Sequence, residues 1–322
     1  MSIWFVPEGA LLGGALSSMA IHGLTPVAAG CYPTDMPPAP SLADAPSRRR
    51  ILALAAAAGV AGCAAVAQPR SGSTLFIAGD STASAYGPER YPRMGWGMVF
   101  GCGLAVGVGL DNRATSGRST KSFIDEGRWA ALMAAVAPGD AVLIQFGHND
   151  AKIEDPTRFT AAEGAFSDNL RRFVQDVRLA GAEAILLTPV ARRRFAEGRA
   201  VDSHGAYGDA VRSVARSTGA PLIDLLAASL TLLDTLGEEA SRGYFLHPGI
   251  TLGLPADPET APDDTHFSEA GARAIAGLVA QGLALTRARA AAWVDPQAPG
   301  YNPSLRVGGP GCGAPAAAGG SI

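Results

Sequence analysis

A chain of 322 residues is long enough for one large domain or two small ones, and an apolar content of 48% supplies ample material for a buried core. The formal net charge of -3 offers no basic surface of the kind a phosphate backbone requires, which argues against nucleic acid as a partner.

Residues 1–46 contain no Lys or Arg, after which Ser47-Arg48-Arg49-Arg50 opens an uncharged apolar and small-residue stretch from Ile51 to Ala67. That stretch is shorter than the ~20 residues of a membrane span, so no transmembrane span is expected. An arginine-flanked start with a small-residue end is how an export signal is built, and consecutive arginines suggest the twin-arginine route. Residues 1–67 are therefore read as an N-terminal extension and export signal, and the protein as exported: periplasmic, lipid-anchored or secreted. Two cleavage sites compete. Val60-Ala61-Gly62-Cys63 resembles a lipoprotein box that would leave Cys63 lipidated, and Ala65-Val66-Ala67 is a site that would release a soluble protein. Because signals ordinarily lie near the chain start, translation is expected to begin downstream of Met1, Met36 being the nearest methionine.

From residue 74 onward short β-rich apolar runs alternate with helical patterns. Thr74–Ala78, Val106–Leu110, Ala141–Phe146 and Ala184–Leu187 read as strands buried on both faces, with Pro221–Asp224 a weaker fifth. Thr160–Ala180, Ala206–Ser217 and Ser268–Leu285 carry apolar residues at three- and four-residue spacing, as amphipathic helices do. Repeated strand, helix, strand implies an α/β domain over residues 68–294, with a parallel sheet of about five strands and helices on both faces. Asp295–Ile322, rich in Gly, Pro and Ala and without periodicity, reads as a disordered tail. Of the four cysteines, Cys102 and Cys312 would survive cleavage before Gln68, either bridged or as a buried thiol and a free one.

In parallel sheets the working residues gather at the carboxyl ends of the strands. Gly79-Asp80-Ser81-Thr82 follows the first strand, Asn112–Gly117 the second and Gly147-His148-Asn149-Asp150 the third, and Asp263-Asp264-Thr265-His266 precedes the last helix. Together they supply a nucleophilic hydroxyl (Ser81), a base (His266), an orienting carboxylate (Asp263, with Asp264 as its neighbouring competitor) and oxyanion donors: the Ser81 and Gly117 N–H groups and the Asn149 amide. Ser81 is expected where the strand hands over to a helix, with Gly79 permitting the turn. A metal site built from His148, Asp150, Asp263, Asp264 and His266 is the main chemical rival, but no H-E-x-x-H or C-x-x-C spacing accompanies it, and neither a metal nor another cofactor is expected. No G-x-S-x-G elbow is present.

Four blocks in this order, GDST, NRATSGRS, FGHND and DDTHF, resemble the SGNH or GDSL hydrolases. GDST in place of GDSL, with TPVARRRF at 188–195 and VDSHGAYGDAVRSVA at 201–215, is similar to the rhamnogalacturonan acetylesterase branch. The resemblance implies a flavodoxin-like three-layer α/β/α sandwich, no cofactor, and hydrolysis of O-acetyl esters on a polysaccharide or oligosaccharide through an acetyl-serine, with Ser81, His266 and Asp263 as the triad. The substrate it implies is an acetylated carbohydrate, of rhamnogalacturonan or pectin type or of xylan type. For an acidic pectin, Arg118, Lys121, Lys152, Arg192 and Arg193 are candidates to meet uronate carboxylates. A GDSL lipase or lysophospholipase, and a non-catalytic carbohydrate-binding surface protein, are the alternatives.

Overall fold

The computed structural model describes residues 72–313; the expectations placed on residues 1–67 and on the end of the tail lie outside these residues. Strands β1 (Thr74–Gly79) and β2 (Gly109–Asn112) lead to helices α1 (Thr120–Asp125) and α2 (Arg128–Met133). β3 (Ala141–Gln145), α3 (Ser167–Leu179), β4 (Glu183–Leu187), the ribbon β5 (Phe195–Ala196) and β6 (Arg199–Ala200), and α4 (Ala206–Thr218) follow. The chain continues through β7 (Leu222–Ile223), α5 (Leu225–Ser241), the paired β8 (Phe245–Leu246) and β9 (Asp263–Phe267), and α6 (Glu269–Ala284). The five-stranded sheet is wholly parallel in the order β2-β1-β3-β4-β7. This is the doubly wound order, in which the connections reverse direction between β1 and β3 and leave a crevice beyond their carboxyl ends.

The continuous apolar runs explain the three layers, because successive side chains leave a strand on opposite faces. Leu75, Ile77, Leu143, Ile185 and Leu187 point to one side, where α5 and α6 cover them with Leu226, Leu233, Ile275, Val279 and Leu283. Phe76, Ala78, Val142, Ile144 and Leu186 point to the other, under α1 to α4, where Phe123, Trp129, Phe173, Val177 and Val214 close the second core.

The structure departs from the sequence pattern at several places. Where a buried strand is expected over 106–110, Val106 is fully solvent-exposed and Gly107 turns the chain at φ 92°; pairing starts at Gly109, on the sheet's edge. The helix expected from Thr160 begins at Ser167, after a wide turn over Ala162–Phe166 in which Gly164 is non-helical. Helices α1, α2 and α5 and the two small antiparallel pairs are additional to the expected elements. Instead of a disordered tail from Asp295, residues 295–313 pack on the domain. Arg273, fully buried, donates to the carbonyls of Gly300, Gly309 and Gly311, and Tyr301 is 5% exposed. Cys102 and Cys312 form a disulfide. Such long-range anchoring leaves no local periodicity.

Candidate active site

Ser81 leaves the carboxyl end of β1, but no helix starts there. Residues 81–83 form a turn closed by the Ala83 N–H on the Asp80 carbonyl at 3.3 Å, so a helix dipole does not contribute at the serine. Gly79 is the last residue of the strand rather than part of the turn. A Cβ there would lie 2.9 Å from the Gln145 carbonyl oxygen, so the glycine serves the close approach of β1 to β3.

Across 185 positions of sequence, the Ser81 hydroxyl lies 2.9 Å from His266 Nε2. His266 Nδ1 lies 2.7 Å from Asp263 Oδ2, and the other oxygen of that carboxylate accepts the N–H groups of Thr265 and His266 at 2.9 and 3.0 Å. With a carboxylate as its only option, Nδ1 carries the proton and donates it, leaving the Nε2 lone pair to accept from the serine. Burial raises the Asp263 carboxyl, but the hydrogen bonds and charge of His266 outweigh it and hold the group down to about 2. Asp263 and His266 sit on β9, a short strand, and Ser268 just beyond caps α6 by accepting the Gly271 N–H.

Asp264, adjacent on the alternating strand, faces the other way. Its carboxylate takes His247 Nε2 at 2.8 Å and the Arg193 guanidinium at 3.1 Å, so it is ion-paired away from His266. Arg193 is itself 8% exposed and donates to the Glu238 carbonyl, which removes it from the candidates for substrate contact.

Gly117 (φ 80°) and Asn149 face Ser81 and His266 across one cleft. Among the described residues neither the Ser81 nor the Gly117 N–H has a hydrogen-bond acceptor. Asn149 Nδ2 donates one hydrogen to the Arg118 carbonyl at 3.1 Å, and Oδ1 accepts from Arg158 at 3.5 Å, which fixes the amide and leaves its second N–H for another acceptor.

The cleft is open, about 420 Å³, and lined otherwise by Ser116, His148, Thr265, Arg93, Lys152, Arg158 and Arg192. Among the described residues no Leu, Ile, Val, Met or Phe borders it. Arg93, Lys152 and Arg192 have no carboxylate within ion-pair distance among the described residues. Lys152 and Arg192, two of the candidates for substrate contact, thus line the cleft with Ser81 and His266. Arg118 and Lys121 instead line an adjoining hollow of about 480 Å³ and pair with Glu126 and Asp125. Arg93 and Arg158 lie in segments without helical or strand periodicity and are visible only in three dimensions. Among the described residues no group of three or more His, Cys, Asp or Glu is placed to hold a metal ion.

Two buried groups behind the cleft titrate in opposite senses. Asp150 receives Thr120 N–H, Thr120 Oγ1 and Thr160 Oγ1 all on one oxygen while its other oxygen has no partner, and burial lifts it to about 6. His204 donates Nε2–H to the Val190 carbonyl at 2.8 Å, and burial, with nearby positive charge, depresses it to about 3. The neutral Asp150 adds stability below pH ~4 that is lost as the pH rises to about 6. The neutral His204 adds stability above pH ~6.5 that is lost as the pH falls toward 3. The two slopes oppose between pH ~4 and ~6, each at most about 1.4 kcal/mol per pH unit. Carboxylates held below their ordinary range, among them Asp80, Asp224, Asp263 and Glu269, also lose stabilisation toward pH ~4, so the difference between proteins is the test: on acidification from pH ~6 to ~4 the urea midpoint of His204→Gln is expected to fall less than that of the wild type. Identical profiles for the two proteins would contradict the assignment.

Residues 77–274 match the model of the GDSL-like Lipase/Acylhydrolase family. Rhamnogalacturonan acetylesterase RhgT of Bacillus subtilis is 41% identical over 216 residues, covering 65% of this chain and 88% of that protein. The probable rhamnogalacturonan acetylesterase YesY of the same organism is 35% identical over 209 residues, covering 65% and 91%. The crystal structure of B. subtilis YxiM superposes with a TM-score of 0.57 at 26% identity, over 67% of this chain and 57% of that one.

Proposed function

The chain belongs to the GDSL-like lipase and acylhydrolase family, in its rhamnogalacturonan acetylesterase-like branch, and we propose that it removes O-acetyl groups from an acidic polysaccharide through an acetyl-serine. The observation that supports this most is a hydrogen-bonded Ser81–His266–Asp263 chain opening on a cleft lined by cations and lacking apolar walls. Ser81 Oγ attacks the acetyl carbonyl while His266 Nε2 takes its proton, and Asp263 stabilises the resulting imidazolium. The Ser81 and Gly117 N–H groups and the free N–H of Asn149 receive the oxyanion, each such donor being worth roughly 100- to 1000-fold in rate. On collapse the bond between the acetyl carbon and the sugar oxygen breaks, and His266 gives its proton to that departing oxygen, which leaves as a hydroxyl. Water, activated by the same imidazole, then releases acetate.

Among the described residues the cleft offers a long acyl chain no apolar wall, which disfavours a lipase. Arg93, Lys152 and Arg192 suit a substrate carrying carboxylates, and the unpaired cations of a half-buried cleft gain most when an anion arrives. Activity on p-nitrophenyl acetate is expected to exceed that on a long-chain p-nitrophenyl ester. Arg192→Ala should raise KM for acetylated pectin by roughly tenfold or more, the value of a charge-assisted hydrogen bond, and leave p-nitrophenyl acetate nearly unaffected. Preference for the long-chain ester would overturn the acetylesterase reading; a neutral acetylated xylan preferred over pectin would overturn the acidic one.

Export is part of the same proposal. Arg48–Arg50 ahead of the apolar Ile51–Ala67 stretch supports it, and a disulfide in the domain suits an oxidising compartment. Cell fractionation with mass determination of the mature N-terminus tests it; full-length protein confined to the cytoplasm would refute it.

A further inference from the structure

The residue before Ser81 and the residue before Asn149 are bonded to each other. Asp80 is fully buried; its Oδ1 accepts Thr82 N–H at 2.9 Å and Thr82 Oγ1 at 2.8 Å, and its Oδ2 faces His148 Nδ1 at 3.1 Å. Thr82 Oγ1 in turn accepts Gln145 Nε2 at 2.8 Å, and Gln145 Oε1 takes the Trp96 indole N–H at 2.7 Å. These groups join the exits of β1 and β3, which are neighbours at the point where the sheet's connections reverse. Both members of the pair are covered, His148 being 3% exposed, and the His148 Nδ1–H is committed to Asp80, so neither has a proton to exchange with Ser81 through that contact.

A carboxylate with no exposure is costly unless its lone pairs are filled, and an arrangement kept at that cost fixes geometry. Two loops must converge on one oxyanion: the turn that offers the Ser81 hydroxyl and N–H, and the loop that offers the Asn149 amide. A misplacement of about 1 Å between such groups can cost on the order of 100-fold in rate. We propose that the Asp80–His148 pair is a positioning brace that sets the spacing between the nucleophile turn and the Asn149 loop; this rests on the acyl-transfer reading above.

Three variants test it, with kcat and KM on p-nitrophenyl acetate and the thermal midpoint as readouts. Asp80→Asn keeps the shape and the acceptor for Thr82 but removes the charge bonded to His148. His148→Leu removes the donor, and His148→Asn restores an N–H close to the position of Nδ1. Asp80→Asn and His148→Leu are expected to lose roughly 10- to 100-fold in kcat with KM changed less than about twofold, and His148→Asn to recover most of that loss. Wild-type kcat in folded Asp80→Asn or His148→Leu would overturn the brace, as would a folded His148→Asn no better than His148→Leu. If His148→Leu does not fold, Asp80→Asn against His148→Asn decides on the same terms. Ser81→Ala assayed alongside separates the two levels: full activity there defeats the acyl-transfer reading, whereas an inactive Ser81→Ala beside normal brace variants defeats the brace alone.

Discussion

Ser81→Ala is expected to lower kcat by about a million-fold, with the fold and the affinity for acetylated substrate retained. Among the described residues the hydroxyl is the one group placed both 2.9 Å from the His266 lone pair and beside the oxyanion donors, and no other Ser or Thr on the cleft is bonded to that imidazole. Removing it leaves only water attack within the polarising cleft. Steady-state rates and circular dichroism on the purified variant check this, and turnover within tenfold of wild type would reject Ser81 as nucleophile.

Asp263→Asn should cost on the order of 10,000-fold in kcat, because an amide either donates to His266 Nδ1 or accepts without charge, so the tautomer and the imidazolium both lose their support. The same change at Asp264 is expected to act differently. Asp264 neutralises the buried Arg193 and accepts from His247, so Asp264→Asn lowers the thermal midpoint while kcat stays within about tenfold. The same two assays on both variants check the distinction; equal kinetic losses would mean that β9 places both carboxylates in the reaction.

That distinction marks how far the sequence could be read. Ser81 and Asn149 are legible because β1 and β3 announce themselves as continuous apolar runs, and His266 because a helix start follows it; Gly117 comes after β2, an edge strand that the apolar pattern places too early. Spacing alone leaves the carboxylate that serves His266 open, and only the family resemblance points to Asp263, since Asp263 and Asp264 differ in the direction taken from β9, and β9 is a strand through pairing with β8. The same limit hid the packing of Asp295–Gly313, held by Arg273, Glu269 and the disulfide rather than by any periodicity of its own. It also hid Arg93 and Arg158, and it made Arg193 look available when Asp264 and Glu238 hold it inside. Val106 illustrates the converse: an apolar residue in a strand-like run that the sheet edge leaves in solvent.

The most direct measurement is mass mapping of the wild-type protein quenched during turnover of an acetylated substrate, with His266→Ala as the comparison. An added acetyl mass on the peptide carrying Ser81, absent from His266→Ala, is the predicted result. An acetyl group on another residue, or equal Ser81 labelling without the imidazole, would contradict it.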